Sequence, residues 1–232
     1  MLCLSSFIML VFLLVVSLLF VSSLKDNSEP VTYGSVIKLQ HKDTGNNLHS
    51  HGIAWGSGSG QQSITTNSAK SDKGSLWIVK ESSKDLVSEI GTPIKCGAIV
   101  RFEHADSHKN LHSHLFQSPL SGNQEVSGFG DNGNGDTGDN WQVQCDIKSD
   151  ELWFRYKGIY LRHMDTSKFL STSAQAVFNQ QNCGGNCPIM GQTEVHASSK
   201  KSTNGRWATD QGVYFPSKEA GNKEAEEEDD EL

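Results

Sequence analysis

The sequence lacks a surplus of positive charge, a second long hydrophobic run and any sustained helical periodicity. Its 20 lysines and arginines face 27 aspartates and glutamates, for a formal net charge of −7. Nucleic-acid binding needs a basic face, so this composition argues against it. Only five of the 232 residues are proline and 22 are glycine. Short runs of β-branched and aromatic residues alternate with polar ones between the glycines, a pattern that predicts strands joined by turns.

The two ends of the chain differ from the body. Residues 1–23 contain an almost unbroken apolar run, which predicts a secretory signal peptide. The run is shorter than the roughly twenty residues that span a bilayer, so no stable membrane insertion is expected after cleavage. Residues 217–232 hold most of the net negative charge and predict a disordered acidic tail. The tail ends in Asp229, Asp230, Glu231 and Leu232, a variant of the Lys-Asp-Glu-Leu retrieval signal.

Between these ends the chain repeats itself three times. Leu-His-Ser-His occurs at residues 48–51 and again at 111–114, each time inside a longer pattern His-x-x-Thr/Ser-x-x-x-Leu. A third copy of the longer pattern has Ser-Thr-Ser at residues 171–173 where the others have His-Ser-His. Each unit opens with a glycine and closes with a tryptophan, the tryptophans being Trp77, Trp141 and Trp207.

The three units predict one all-β domain at residues 24–216, with repeats at about 31–85, 93–148 and 149–211. A unit of about sixty residues made only of strands would struggle to build a core alone. Three units closed around a pseudo-threefold axis share one core and leave no sheet edges, which is a β-trefoil. The three tryptophans are expected in that core together with Leu48, Leu111 and Leu170.

The cysteines suggest two disulfides in an oxidising compartment. Four of the five remain once Cys3 leaves with the signal peptide. Cys96 and Cys145 flank the second unit and are expected to pair, because the ends of a closed repeat lie close together. Cys183 and Cys187 fall in a long insertion of the third unit, where a small disulfide ring is favoured over a reactive thiol pair.

These patterns resemble the MIR repeats of protein O-mannosyltransferases, inositol trisphosphate receptors and ryanodine receptors. The similarity covers about residues 31–216 and rests on His-x-x-Thr-x-x-x-Leu-His-Ser-His, the Gly-Ser-rich stretch at 56–64 and Gly-Gln-Thr-Glu-Val-His at 191–196. A signal peptide, three such repeats and a retrieval tail resemble the stromal cell-derived factor 2 family. The resemblance implies a β-trefoil in the endoplasmic reticulum lumen. It also implies a protein quality-control complex with a J-domain co-chaperone and a BiP-type chaperone, and misfolded or O-mannosylated clients.

The residues themselves offer no convincing reaction centre, so no enzyme activity, cofactor or metal is predicted. The two His-x-His doublets could chelate zinc or copper if they lie on strands. No carboxylate or cysteine lies near either doublet in the sequence, however, and hydrogen bonding to the loop backbone is the favoured role. The Gly-Ser-Gly-Ser-Gly stretch at 56–60 lacks the strand-to-helix context of a nucleophile elbow. The glycine-rich loop at 128–138 lacks the terminal glutamate of a calcium loop.

A binding module is the remaining prediction, either as a chaperone-complex subunit or as a lectin-like reader of glycans. Clefts between trefoil units can offer an aromatic ring for stacking and amides for hydrogen bonds. The candidate binding residues are His51, Trp55, Gln61 and Gln62 in unit one and His114 and Gln124 in unit two. A purely structural role in turns and core is the alternative for each of them. The sequence has no Asn-x-Ser/Thr acceptor, so the glycans in question would be those of clients.

Overall fold

The structure is a computed structural model that describes residues 29–82 and 88–217. The predicted signal peptide and the acidic tail beyond residue 217, with the retrieval signal, lie outside the described residues. Within the described ranges, no helix combines the length and the apolar character that crossing a membrane requires.

Twelve strands, all in antiparallel pairs, form the fold. Their bounds are β1 Val36–His41, β2 Asn47–Ala54, β3 Gln62–Asn67, β4 Trp77–Glu81, β5 Ile99–His104, β6 Asn110–Gln117, β7 Gln124–Phe129, β8 Trp141–Cys145, β9 Ile159–His163, β10 Phe169–Val177, β11 Thr193–Ser198 and β12 Trp207–Val213. A short helix, α1, spans Gln180–Cys183. Each unit also has one 3-10 turn, at Lys73–Ser75, Thr137–Asp139 and Thr203–Gly205.

Six of the strands close into a barrel. Strand β1 pairs with β4, β4 with β5, β5 with β8, β8 with β9, β9 with β12, and β12 returns to β1. Closure satisfies the backbone groups that an open sheet would leave at its edges.

The other six strands form a cap of three hairpins, β2–β3, β6–β7 and β10–β11. The inner strands β3, β7 and β11 pair with one another around a triangle. The register repeats: residue 62 pairs with 128, 124 with 197, and 193 with 66. A closed six-stranded barrel with a threefold hairpin cap is a β-trefoil, and the sequence prediction is confirmed.

The predicted leucines and tryptophans occupy the core, and all six are fully buried. Each tryptophan also makes the same hydrogen bond, since its indole N–H donates to the carbonyl oxygen of the leucine in its own unit. The Nε1–O distances are 3.0 Å for Trp77 and Leu48, 2.9 Å for Trp141 and Leu111, and 3.0 Å for Trp207 and Leu170. This bond ties the last barrel strand of each unit to its hairpin.

The histidine that opens each repeat pattern joins neighbouring units. Its Nε2 atom lies beside a carbonyl oxygen of the 3-10 turn in the preceding unit, at 3.1 Å for His41 and Asn204, 3.0 Å for His104 and Gly74, and 2.9 Å for His163 and Gly138. Its Nδ1 atom lies 2.9 to 3.0 Å from the hydroxyl three residues further on. Burial lowers the pKa of all three imidazoles. These rings are therefore neutral at pH 7 and act as structural hydrogen-bonding groups.

Both predicted disulfides are present. Cys96 is bonded to Cys145 and Cys183 to Cys187. The first joins the segment before β5 to the end of β8, and the second closes a ring next to α1 in the third unit.

The indole hydrogen bond can be tested by replacing Trp141 with phenylalanine. The variant leaves the buried Leu111 carbonyl without a donor, and an unsatisfied buried group costs about 1–3 kcal/mol in addition to the cavity. We expect the free energy of unfolding in urea to fall accordingly. Trp153→Phe is the matched control, because Trp153 is equally buried but its Nε1 has no partner. Equal losses in both variants would contradict the assigned role.

Candidate functional site

In the described part of the chain, surface clefts surround the hairpin cap. The unit-2 cleft, of about 420 Å³, is lined by His112, His114, Leu115, Asp136 and Asp165, among others. The unit-3 cleft, of about 700 Å³, occupies the corresponding place in the third unit and is lined mainly by amide and hydroxyl side chains. A third groove, of about 520 Å³, runs between units one and two. Gln61 and the partly exposed Phe129 border both this groove and the unit-2 cleft.

The first histidine of each doublet is paired with a carboxylate. His49 Nδ1 lies 2.6 Å from Asp72 Oδ2, and His112 Nδ1 lies 2.9 Å from Asp139 Oδ1. Burial alone would raise the pKa of Asp72, but hydrogen bonds from Ser75 and His49 hold it below its ordinary value. The predicted contact with loop backbone is therefore wrong for these two histidines, which bind side chains of the 3-10 turn.

The glycine of each of these turns makes room for the histidine ring. A Cβ atom on Gly74 would lie 2.6 Å from His49 Cε1, and one on Gly138 would meet His112 in the same way. In the third unit Ser171 replaces the histidine, and Asn204 then replaces the glycine. The two positions are sterically coupled.

One group of ligand-type side chains comes together in the unit-2 cleft. Atoms of His112, Asp136 and Asp139 lie within 4.8 Å of one another. Asp139 is fully buried and already accepts hydrogen bonds from His112 and from Asn110 Nδ2 at 3.0 Å. Arg101 lies 3.8 Å away and supplies the positive charge that a cation would bring. Asp139 is thus part of a buried structural ion-pair cluster, while the side chain of Asp136 is 58% exposed. The absence of a metal stays a prediction.

The second histidines differ between the units. His114 Nε2 lies 3.0 Å from Oε1 of the fully buried Glu125. In the first unit Ser63 occupies the position of that glutamate, and neither ring nitrogen of His51 makes a hydrogen bond of normal geometry. Burial is the main cause that lowers the pKa of His51, followed by the nearby His49, while the neighbouring Gln192 opposes the shift. His51 is thus a neutral, partly buried imidazole.

Two buried glutamates hold the hairpin loop of the preceding unit. Glu125 accepts hydrogen bonds from the hydroxyl and the backbone N–H of Ser59 in unit one. Glu194 accepts from the backbone N–H groups of Leu120 and Ser121 in unit two, and from His196 at 3.1 Å. Both glutamates are fully buried, so each carboxylate is held by its hydrogen bonds.

At the joint between units three and one, an apolar cluster takes the place of the buried glutamate, and a hydrogen bond between Thr66 and Thr193 also crosses this joint. Trp55 packs with Phe178, Cys187 and Ile189 in a small cluster, where the disulfide ring covers it. Its ring is 6% exposed, and its Nε1–H donates to the Val126 carbonyl at 3.0 Å. Trp55 also lines a small, mainly apolar pocket of about 290 Å³ together with Pro119 and Ile189. Stacking of a sugar on Trp55 stays a prediction.

The three candidate glutamines also make hydrogen bonds within the protein. Gln62 Nε2 donates to two hydroxyls at 2.7 Å, one in its own unit and one in the next. Gln124 does the same at 2.8 and 3.0 Å. Gln61 accepts from Ser127 Oγ at 2.5 Å. Of the six candidates, Gln61 and His114 line the unit-2 cleft, to which His163, Asp165 and Thr166 of the third unit also contribute. A binding role for the six residues stays a prediction.

Sequence reasoning missed the carboxylates and Phe129. A signal for two of them existed, because Asp72 and Asp136 precede the closing tryptophans at the same spacing in a shared Asp-x-Gly. The buried glutamates carry no such signal, since Glu125 and Glu194 correspond to Ser63 in the first unit.

Comparison with known proteins agrees with this architecture. The MIR domain family matches residues 54–208. The stromal cell-derived factor 2-like protein of Dictyostelium discoideum is 40% identical over 220 residues, which is 92% of this chain and 99% of that one. The crystal structure of the SDF2-like protein from Arabidopsis thaliana superposes with a TM-score of 0.75 and 39% identity, over 82% of this chain and 99% of the other. These matches and the threefold repeats define a MIR-domain β-trefoil.

The chain belongs to the stromal cell-derived factor 2 family. A further solved relative is the protein O-mannosyltransferase Pmt1-Pmt2 complex of S. cerevisiae, bound to the sugar donor, with a TM-score of 0.68 and 26% identity. The match covers 85% of this chain but 28% of that one, so it concerns one part of the larger protein.

The role of Glu194 predicts a pH dependence of stability. Burial would raise its pKa, but hydrogen bonds from His196, Ser121 and the Leu120 backbone lower it below the ordinary carboxyl value. A depressed pKa contributes stability above the unfolded-state pKa of about 4.3, and that stability is lost as the pH falls through the folded-state pKa. We expect Glu194→Gln to be less stable at pH 7, by about 1–3 kcal/mol. Its stability should also decline less between pH 5 and pH 3.

Urea unfolding at several pH values measures this. Glu151→Gln, at an exposed position, is the control. An acid profile of Glu194→Gln that parallels the wild type would show that this carboxylate does not hold the loop.

Proposed function

We propose that the protein is a non-enzymatic subunit of a chaperone complex in the endoplasmic reticulum lumen. In this proposal it binds a J-domain co-chaperone and a BiP-type chaperone and helps to retain or fold secretory clients. The observation that carries the proposal is the extent of the family match. It spans 92% of this chain and 99% of a relative, which supports a role shared with the whole of that relative.

The geometry favours binding over catalysis. The carboxylates best placed for acid–base chemistry, Glu125 and Glu194, are fully buried and occupied with loop N–H and hydroxyl groups. The clefts instead carry exposed side chains on a scaffold joined by hydrogen bonds and disulfides. Preformed surfaces of this kind bind partners at a low entropic cost.

The proposed address rests on both ends of the sequence and on the disulfides. Residues 1–23 are predicted to be a secretory signal peptide, and Asp-Asp-Glu-Leu at 229–232 is predicted to be a retrieval signal. Two disulfides are typical of an oxidising compartment.

Affinity purification from microsomes tests this function. We expect a tagged chain to recover a J-domain protein and a BiP-type chaperone in amounts comparable to its own. An unrelated protein with the same signal peptide and acidic tail, expressed at the same level, is the control. Recovery of neither chaperone above this control would remove the proposal.

A lectin-like module that binds O-mannosyl or other glycans on misfolded proteins is the second candidate. The unit-3 cleft favours it, because Asn123, Gln175 and Asn204 line it together with serines and His196. Amide and hydroxyl groups of this kind hydrogen-bond to sugar hydroxyls. Phe129 at the rim of the unit-2 cleft offers a ring that is already partly exposed, unlike Trp55.

A glycan array with mannose-terminated glycans and O-mannosyl peptides tests the second candidate. We expect binding above background that falls about tenfold in Gln175→Ala if the unit-3 cleft is used, or in Phe129→Ala if the unit-2 cleft is used. Trp55→Ala is less informative, because it removes a buried ring. No binding by the wild type would eliminate this candidate.

A further inference from the structure

The outer strand of each hairpin bulges at the rim of the cap. In β6, Ser113 pairs with Val126 and Gln117 with Gln124, so residues 114–116 leave the regular ladder. The same shift occurs in β2 between Ser50 and Ala54, and in β10 between Thr172 and Val177. A bulge re-aims its side chains relative to the sheet. In the first unit the bulged Ile53 packs against the Trp55 cluster, whereas the bulged side chains of the second unit point to solvent.

Only the second unit carries two large apolar side chains there. Leu115 is 86% exposed and Phe116 is 51% exposed. The first unit has Gly52 and Ile53 on its bulge, and the third has the pair Ala174-Gln175. The other two units fold without a leucine and a phenylalanine at these positions. Packing of the trefoil therefore does not require Leu115 and Phe116.

The support beneath the pair is rigid. His114 precedes it, donates a hydrogen bond to the buried Glu125 at 3.0 Å and lies 4.8 Å from the Phe116 ring, centre to centre. Glu125 is in turn bonded to the loop of unit one. Exposed apolar side chains on a fixed support lose little entropy when they are buried by a partner, which is typical of interface anchors.

The unit-2 cleft beside the pair is acidic. Asp165 is exposed and the Asp136 side chain is 58% exposed. Asp136 accepts from the backbone N–H of Gly138, and Asp165 from the Thr137 hydroxyl. In residues 29–82 and 88–217, no lysine or arginine forms an ion pair with either carboxylate.

We propose that Leu115, Phe116 and the unit-2 cleft form one docking surface for a partner protein that presents an apolar pocket bordered by lysine or arginine. The pocket receives Leu115 and Phe116, and the basic side chains enter the cleft beside Asp136 and Asp165. The negative charge of Asp136 and Asp165 favours a basic partner over the two alternatives, a second copy of this chain and a membrane surface. A second copy would bring its own two carboxylates to the interface, and an anionic membrane would be repelled. The proposal rests on the proposed function in one respect, since the J-domain co-chaperone is the partner used to test it.

The experiment measures the Kd between the purified chain and a purified lumenal J-domain co-chaperone, at 50 mM and 300 mM NaCl. We expect the double variant Leu115→Ser, Phe116→Ser to bind at least about tenfold more weakly at both salt concentrations. Asp136→Asn with Asp165→Asn should bind a few-fold more weakly at 50 mM and lose most of the salt dependence. Asparagine keeps the hydrogen bonds that both carboxylates accept within the chain.

Ile147→Ser is the matched control, an apolar side chain 48% exposed on the loop after β8, and its Kd should equal that of the wild type. Urea midpoints verify that all variants are folded. Wild-type binding with an unchanged Kd in Leu115→Ser, Phe116→Ser overturns this inference alone. Absence of wild-type binding removes the J-domain partner of the proposed function as well. Analytical ultracentrifugation measures the oligomeric state. A wild-type dimer that becomes a monomer in the double variant would show that the surface serves self-association, and would also overturn the inference.

Discussion

The structure depends on one hydrogen bond that is made three times, from a buried tryptophan indole to the leucine carbonyl of the same unit. The tryptophan opens a barrel strand and the leucine belongs to the hairpin cap, so the bond joins the two layers of the trefoil. Both partners are fully buried. Each needs the other, because a lone donor or acceptor at this depth is costly. The leucine and the tryptophan therefore recur in every unit, although their separation in the sequence grows from 29 and 30 residues to 37 in the third unit.

Contacts between units follow two different physical solutions. At two of the three joints a buried glutamate binds the hairpin loop of the preceding unit, through Glu125 and Glu194. At the third, Ser63 replaces the glutamate, and Trp55 packs under a loop that the Cys183–Cys187 disulfide closes. The long insertion of the third unit thus places an apolar contact where the other two joints have a buried carboxylate. Apolar contacts are less directional than charged hydrogen bonds. The Cys183–Cys187 disulfide therefore helps to fix the conformation of the loop that makes this contact.

The residues that recur in all three units have a structural role, whereas the residues at the rim of the cap differ between units. Tryptophan, leucine and the first histidine of each pattern recur in every unit and serve packing. The bulged positions at the rim differ, with Gly52 in unit one, Leu115 in unit two and Ala174 in unit three. A pseudo-threefold body can therefore present a surface that is not threefold. A binding protein needs such asymmetry to orient one partner.

The sequence by itself determined the fold, the number of units, both disulfide pairs and six residues of the core. These features depend on local periodicity and on repeated motifs, which the sequence shows directly.

Tertiary structure alone decided the environment of the polar residues. His49 and Asp72 lie far apart in the chain and meet only when the hairpin folds onto the 3-10 turn. The sequence predicts Trp55 as a ring available for binding, yet Phe178, Cys187 and Ile189 from the third unit pack against it. Leu115 and Phe116 resemble core residues by composition and stand outside because a bulge turns them away from the barrel. Burial and hydrogen bonding depend on which segments meet across units, and no local pattern encodes that.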